Sequence, residues 1–202
     1  MPETTTKERN DIISTLVVAG VVAAIVVVAS VFRWLETFSR EGISVPVPFA
    51  GVPADFAPGD GLPVTTVRVT EGDVIAVGVN ALSTVSIGAS IIVGTVAWLV
   101  VIALFGILAL RFLRGRFFDP TNPRLLDTAG WTMFAGALAV YFLDTFGRNG
   151  VLAAAGLGEF QPSSWAITAS FIPIWIAATV LGLISLAFRR GIRMQRDTDG
   201  LV

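Results

Sequence analysis

Four long apolar stretches, separated by short polar segments, leave this chain of 202 residues few ways to fold in water. The first runs from Ile12 to about Phe32 without a charge. Those about 21 residues, at ~1.5 Å each, make enough helix to cross a hydrocarbon core of ~30 Å. Three more follow, at residues 85–110, 123–146 and 164–188. Lipid offers no partner to a backbone N–H or C=O, so helices are the natural form for such stretches. Hydrophobic residues reach 54% and charged residues only 14%. Soluble domains carry about 25% charged residues, and a single aqueous core of this size would not hide so much apolar surface.

The expected fold class is an all-α integral membrane four-helix bundle with a small extracytoplasmic β-hairpin cap between helices 1 and 2. Residues 1–11 are a polar cytoplasmic tail, 12–32 the first span, and 33–84 an extracytoplasmic loop. A second span (85–110), an arginine-rich cytoplasmic loop (111–122) and a third span (123–146) follow. A glycine-rich outer loop (147–163), a fourth span (164–188) and a basic cytoplasmic tail (189–202) complete the chain. The first apolar run exceeds the ~7–15 residues of a signal peptide's apolar region, which favours a retained anchor. Asn122-Pro123 reads as an N-cap and first helical residue, and Pro173 predicts a kink in the fourth helix.

Within the long loop, Val64–Thr70 and Val74–Val79 are rich in β-branched residues. Glu71-Gly72-Asp73 lies between them, which predicts a tight hairpin turn there. Ile43 to Phe49 alternates as well, but Pro46 and Pro48 confine it to a sheet edge or an unpaired extension. Two strands alone are marginal in water, so this cap must lean on helix ends or on a partner.

Basic residues orient the spans. Lys7, Arg9, Arg111, Arg114, Arg116, Arg124, Arg189, Arg190, Arg193 and Arg196 fall on one side; Arg33, Arg40, Arg68 and Arg148 fall on the other. By the positive-inside rule both termini are cytoplasmic and the hairpin-bearing loop faces out; the expected location is the plasma membrane, as a multi-pass protein.

The composition excludes much chemistry. With no histidine and no cysteine, a histidine-ligated haem, a His- or thiolate-bound zinc, a disulfide and a Ser-His-Asp triad are all impossible. Lys7, the only lysine, lies in the N-terminal tail, so a Schiff-base lysine inside the fold is not expected. No catalytic residue, cofactor or metal ligand is assigned. Asp144 is the carboxylate nearest the hydrocarbon region. Arg148 lies one turn on, so the two form a candidate intramembrane ion pair, either a boundary anchor or part of an ion relay. Asp127, near the start of the third span, suits the positive end of the helix dipole, with Arg124 three residues back. Arg111, Arg114, Arg116, Arg189, Arg190, Arg193 and Arg196 form a candidate surface for anionic lipid or an acidic cytoplasmic partner. Gly20 with Ala24, Ser90 with Gly94, Ala135 with Ala139 and Ala178 with Gly182 have the small-xxx-small spacing that lets helices approach closely.

The cytoplasmic loop reads Arg114-Gly115-Arg116-Phe117-Phe118, then Asn122, Leu125-Leu126 and Gly130. It resembles the Gly-x-Phe…Asn…Leu…Gly stretch of a bacterial family of small four-pass membrane proteins known only as a domain of unknown function. The resemblance implies four helices with both termini inside, and no activity, cofactor or catalytic residue. Some members are encoded beside a small helix-turn-helix regulator, which implies a membrane partner of a transcription factor.

The functional expectation is a non-enzymatic membrane protein with a sensing, scaffolding or regulatory role. The alternative is a small transporter or channel subunit acting as an oligomer, for which the hydroxyls of the spans supply sparse polar lining. Expected partners are the lipid bilayer, a membrane or cytoplasmic regulatory protein, and further copies of the chain. The net charge of −1 argues against nucleic acid.

Overall fold

The computed structural model describes residues 6–56, 65–158 and 164–199. In chain order the elements are α1 (Thr6–Thr37), β1 (Phe38–Ser39), β2 (Gly42–Phe56), β3 (Thr65–Ala76), α2 (Ala81–Leu113), α3 (Thr121–Ala154) and α4 (Ser164–Asp199). Each helix holds a stretch long and apolar enough to cross a membrane: Ile13–Thr37, Ala81–Leu113, Thr121–Ala154 and Phe171–Gln195. The described residues divide into two compact units. One comprises those up to Phe32, with Ile91–Val140 and those from Ile172 on; the other comprises Arg33–Ser90 and Tyr141–Phe171.

In the first, all-helical unit, Leu108 of α2, Leu126 and Ala129 of α3 and Leu181 of α4 form a buried cluster, flanked by Phe112, Met133 and Phe188. Hydroxyls link the helices where apolar packing gives no direction. Thr95 Oγ1 of α2 lies 2.7 Å from Ser30 Oγ of α1, and the buried Ser185 donates to the Pro123 carbonyl at 3.0 Å. Proline at position 173 is accommodated within α4. Close approach of helices falls at Gly130, whose added Cβ would sit 3.3 Å from the Ala178 carbonyl oxygen, and at Gly136, 2.7 Å from Ala97 Cβ. Gly20 and Gly182, two of the small residues picked out by spacing, face open space.

In the second unit a three-stranded antiparallel sheet, ordered β1-β2-β3, packs on helix surfaces. The hairpin differs from its prediction. Glu71-Gly72-Asp73 is no turn; it lies inside β3, opposite Pro48, Val47 and Pro46. The reason is burial. In this register Ile43, Val45 and Val47 share a face with Val74 and Ala76, against Ile87 of α2 and Val151 and Leu152 of α3. Val47 is fully buried, and such a valine contributes about 1.5–3 kcal/mol. A turn at Gly72 would forfeit that pairing, so cross-strand packing overrides local turn chemistry. The prolines fit because β1 reaches only Ile43 and Gly42. Beyond them β2 pairs on one side among the described residues, and an open side tolerates a missing N–H. The register shifts between Pro48 and Val52, where Gly51 takes φ +79°, a conformation that suits glycine. Val64, at the start of the predicted strand, lies outside the described residues.

The glycine-rich loop predicted from residue 147 is also corrected: α3 continues through it to Ala154. Those glycines are contact points. A Cβ on Gly147 would fall 2.2 Å from Ile87 Cγ1, and one on Gly150 would fall 1.9 Å from Ser83 Oγ. Glycine costs helix propensity, but here it lets α3 lie directly on α2. Helix α2 itself starts earlier than residue 85, because Asn80 Oδ1 accepts the Ser83 backbone N–H at 2.8 Å as an N-cap. The α4 helix likewise runs on through the tail predicted from residue 189, as far as Asp199.

Candidate functional site

The charged cluster around Asp144 is built by three helices of the sheet-bearing unit. On α3, the one-turn spacing brings Arg148 Nη2 to 2.6 Å from Asp144 Oδ2. From the last turns of α1, Arg33 Nη2 reaches Asp144 Oδ1 at 3.1 Å. Ser90 of α2 also points its hydroxyl at Oδ1, at 3.3 Å. One carboxylate thus serves two guanidiniums. The two are not equivalent: the Arg148 side chain is 10% exposed and that of Arg33 48%. Burial makes Arg148 dependent on its partner, since an ion taken out of water must be compensated. That compensation is incomplete, because Arg148 Nε is buried with no hydrogen-bond partner among the described residues. Thr145 Oγ1, on the next residue to Asp144, is in the same condition.

This cluster lines a cavity of about 550 Å³. Arg33, Asp144 and Arg148 contribute to its wall, with Glu36 of α1 and Asp73 of β3. The hydroxyls of Thr37 and Ser44 add neutral polar groups, and Val45, Pro46 and Ile87 an apolar surface. The sheet register positions this wall: the strand that buries Val45 sets Ser44 and Pro46 beside it, with Asp73 paired to Pro46.

The predicted arginine surface separates into two groups. Arg111 is committed inside the α2–α3 connection, with Nη2 2.7 Å from Asp119 Oδ1 and Nε 2.9 Å from Asn122 Oδ1. Arg189 pairs with Asp127, which is therefore served from α4 and not by Arg124. Arg114, Arg116, Arg190 and Arg193 are exposed and make no ion pair among the described residues. The Arg196 side chain lies outside those described.

Asn122 has a different role from the predicted cap. It is fully buried, and its Nδ2 donates to the carbonyls of Arg116 and Phe117, each at 2.7 Å. The cap of α3 is Asp119, whose Oδ1 accepts the Thr121 N–H at 2.8 Å. That backbone hydrogen bond, reinforced by the Thr121 hydroxyl and then Arg111, lowers the Asp119 pKa below the ordinary value of 3.8. Phe112 stacks between Phe117 and Phe188, at centroid distances of 4.8 and 6.0 Å.

No family model, curated protein or solved structure matches the chain. Spacing within one helix was enough to pair Asp144 with Arg148. Arg33, Ser90, Glu36 and Asp73 join it from distant parts of the chain, with no spacing that links them to Asp144. The usable signal for Arg33 was its position at the end of the first apolar run, where a cation seeks a counter-ion.

Proposed function

We propose that this chain is a multi-pass membrane protein of the plasma membrane, with both termini cytoplasmic, whose sheet-bearing unit faces out and receives a small-molecule or partner signal in a non-enzymatic sensing or regulatory role. The observation that carries this reading is the polar cavity beside Asp144, walled by arginines and carboxylates in a chain without histidine or cysteine. Such a set of groups binds by charge and hydrogen bonding, and it offers no activated nucleophile. Membrane residence draws support from α1, where none of the apolar 18-residue window within Ile13–Thr37 is buried inside the protein. A water-soluble monomer rarely leaves so large an apolar patch uncovered. The exposed Arg114, Arg116, Arg190 and Arg193 suit an anionic inner leaflet or an acidic cytoplasmic regulator, the class of partner implied by the four-pass resemblance. A transporter or channel draws less support, because Asp144, the carboxylate it would rely on, is held in two ion pairs.

Since the chain lacks cysteine, single-cysteine variants test the topology cleanly. A membrane-impermeant maleimide on intact cells should label Ser39→Cys and should reach Arg193→Cys only after lysis. Co-purification from native membranes then tests the regulatory role. The reverse labelling pattern, or a protein recovered alone with neither exposed surface protected, would overturn the reading.

A further inference from the structure

The cavity beside Asp144 is electrically polarised. At its buried wall, Arg148 is only 8% exposed and keeps an Nε without an acceptor among the described residues. Its counter-ion is shared with the half-exposed Arg33, so the Asp144 cluster holds two guanidiniums to one carboxylate. Glu36 and Asp73 line the same cavity. Both are exposed, and neither makes an ion pair among the described residues. The outer wall therefore carries two uncompensated negative charges. The volume of about 550 Å³ falls within the roughly 300–1,000 Å³ of pockets that enclose small molecules.

A simple anion would satisfy the arginines and be repelled by Glu36 and Asp73. A simple amine, or a metal ion, would suit the carboxylates and face two guanidiniums. A molecule with both charges meets both walls. Resting on the signal-receiving reading of this cavity, we infer that it binds a small zwitterion of amino-acid size, its carboxylate toward Arg148 and its ammonium toward Glu36 and Asp73. The planar guanidinium is suited to a carboxylate and holds it by charge-assisted hydrogen bonds. Because Nε is closed to solvent, the ligand meets the Nη edge. Thr37 and Ser44 supply neutral hydrogen bonds alongside.

Isothermal titration calorimetry on the full-length protein in nanodiscs tests this, with the common amino acids, 4-aminobutyrate and glycine betaine as zwitterionic probes. Acetate and ethylammonium serve as single-charge controls. At least one zwitterion should bind, and neither control should bind at the same concentration. Arg148→Gln should weaken the binding at least tenfold and Asp73→Asn about fivefold. Asp73 is exposed, so its variant keeps the test open even where Arg148→Gln fails to fold. Saturable binding of acetate or ethylammonium alone, lost in the same variants, would overturn the zwitterion and leave a ligand-receiving cavity in place. Zwitterion binding untouched by Asp73→Asn and Glu36→Gln would place it elsewhere and overturn the inference. Silence from every probe would overturn the inference, while the reading beneath it stands or falls by the labelling and co-purification results.

Discussion

Asn122 Oδ1 accepts the Nε hydrogen of Arg111 at 2.9 Å, and this one contact joins the last turn of α2 to the first turn of α3. The same amide donates to two loop carbonyls, so a single side chain satisfies three groups in a place closed to water. Asn122→Ala strands all three. Leaving one buried polar group unpaired costs about 1–3 kcal/mol, and the loop can relax to recover part of that. The expected loss is a few kcal/mol, read as a clear drop in the thermal unfolding midpoint in detergent. A double-mutant cycle with Arg111→Met should give a coupling well away from zero; additive effects would refute the link.

Substitutions around Asp144 should rank by burial. Asp144→Ala leaves Arg148 charged and enclosed, and breaking a fully buried pair costs about 3–5 kcal/mol. Asp144 is partly exposed, so about 2–3 kcal/mol is the expected loss here. Arg33→Gln removes only the half-exposed partner and should cost under about 1 kcal/mol. Unfolding midpoints of the two variants check the order, and an equal or inverted effect would mean that the α1 contact, not the α3 pair, holds the cluster.

The same contrast explains how much the sequence disclosed. Runs of apolar residues and i,i+4 spacing are local facts, and they were sufficient for four long helices and for Asp144 beside Arg148. The strand boundaries, the true partner of Asp127 and the work of Asn122 depend on residues far along the chain. Glu71-Gly72-Asp73 has the composition of a turn, and only the distant Val45 and Val47 make it a strand. Gly147 and Gly150 look like a loop until Ile87 and Ser83 are set against them. Arg33 lies 111 positions from Asp144, and no periodicity connects them.

Acid should weaken the α2–α3 connection through Asp119. Its folded pKa is depressed below 3.8 by the Thr121 N–H, the Thr121 hydroxyl and Arg111. A depressed carboxylate contributes stability that is fully present above the unfolded pKa and disappears as pH falls through the folded one. Asp119→Asn should therefore lower the unfolding midpoint near neutral pH. The gap to the parent protein should narrow once the pH drops below the ordinary carboxylate value of 3.8. Midpoints measured across that range check it, and a pH-independent gap would assign the effect to the cap's shape and not to its charge.

Glycine-to-alanine substitutions should change stability in opposite directions at two positions in the helices. Alanine is the better helix former by about 1 kcal/mol, so only the surroundings decide the sign. At Gly182 a Cβ meets open space, and Gly182→Ala should stabilise the protein by somewhat less than that amount. At Gly150 the new carbon would lie 1.9 Å from Ser83 Oγ and 2.4 Å from Ser83 Cβ. Both atoms belong to the first turn of α2, which Asn80 holds in place, so the side chain has little room to yield. Overpacking of this kind costs about 1–3 kcal/mol, and Gly150→Ala should lower the unfolding midpoint despite its better propensity. Ser83→Gly removes both obstructing atoms, so the double variant should recover most of the loss. Midpoints of the four proteins decide the matter: a Gly150→Ala that Ser83→Gly does not rescue would show that α3 does not rest on α2 at Gly150, and a destabilised Gly182→Ala would show that α4 is packed at Gly182.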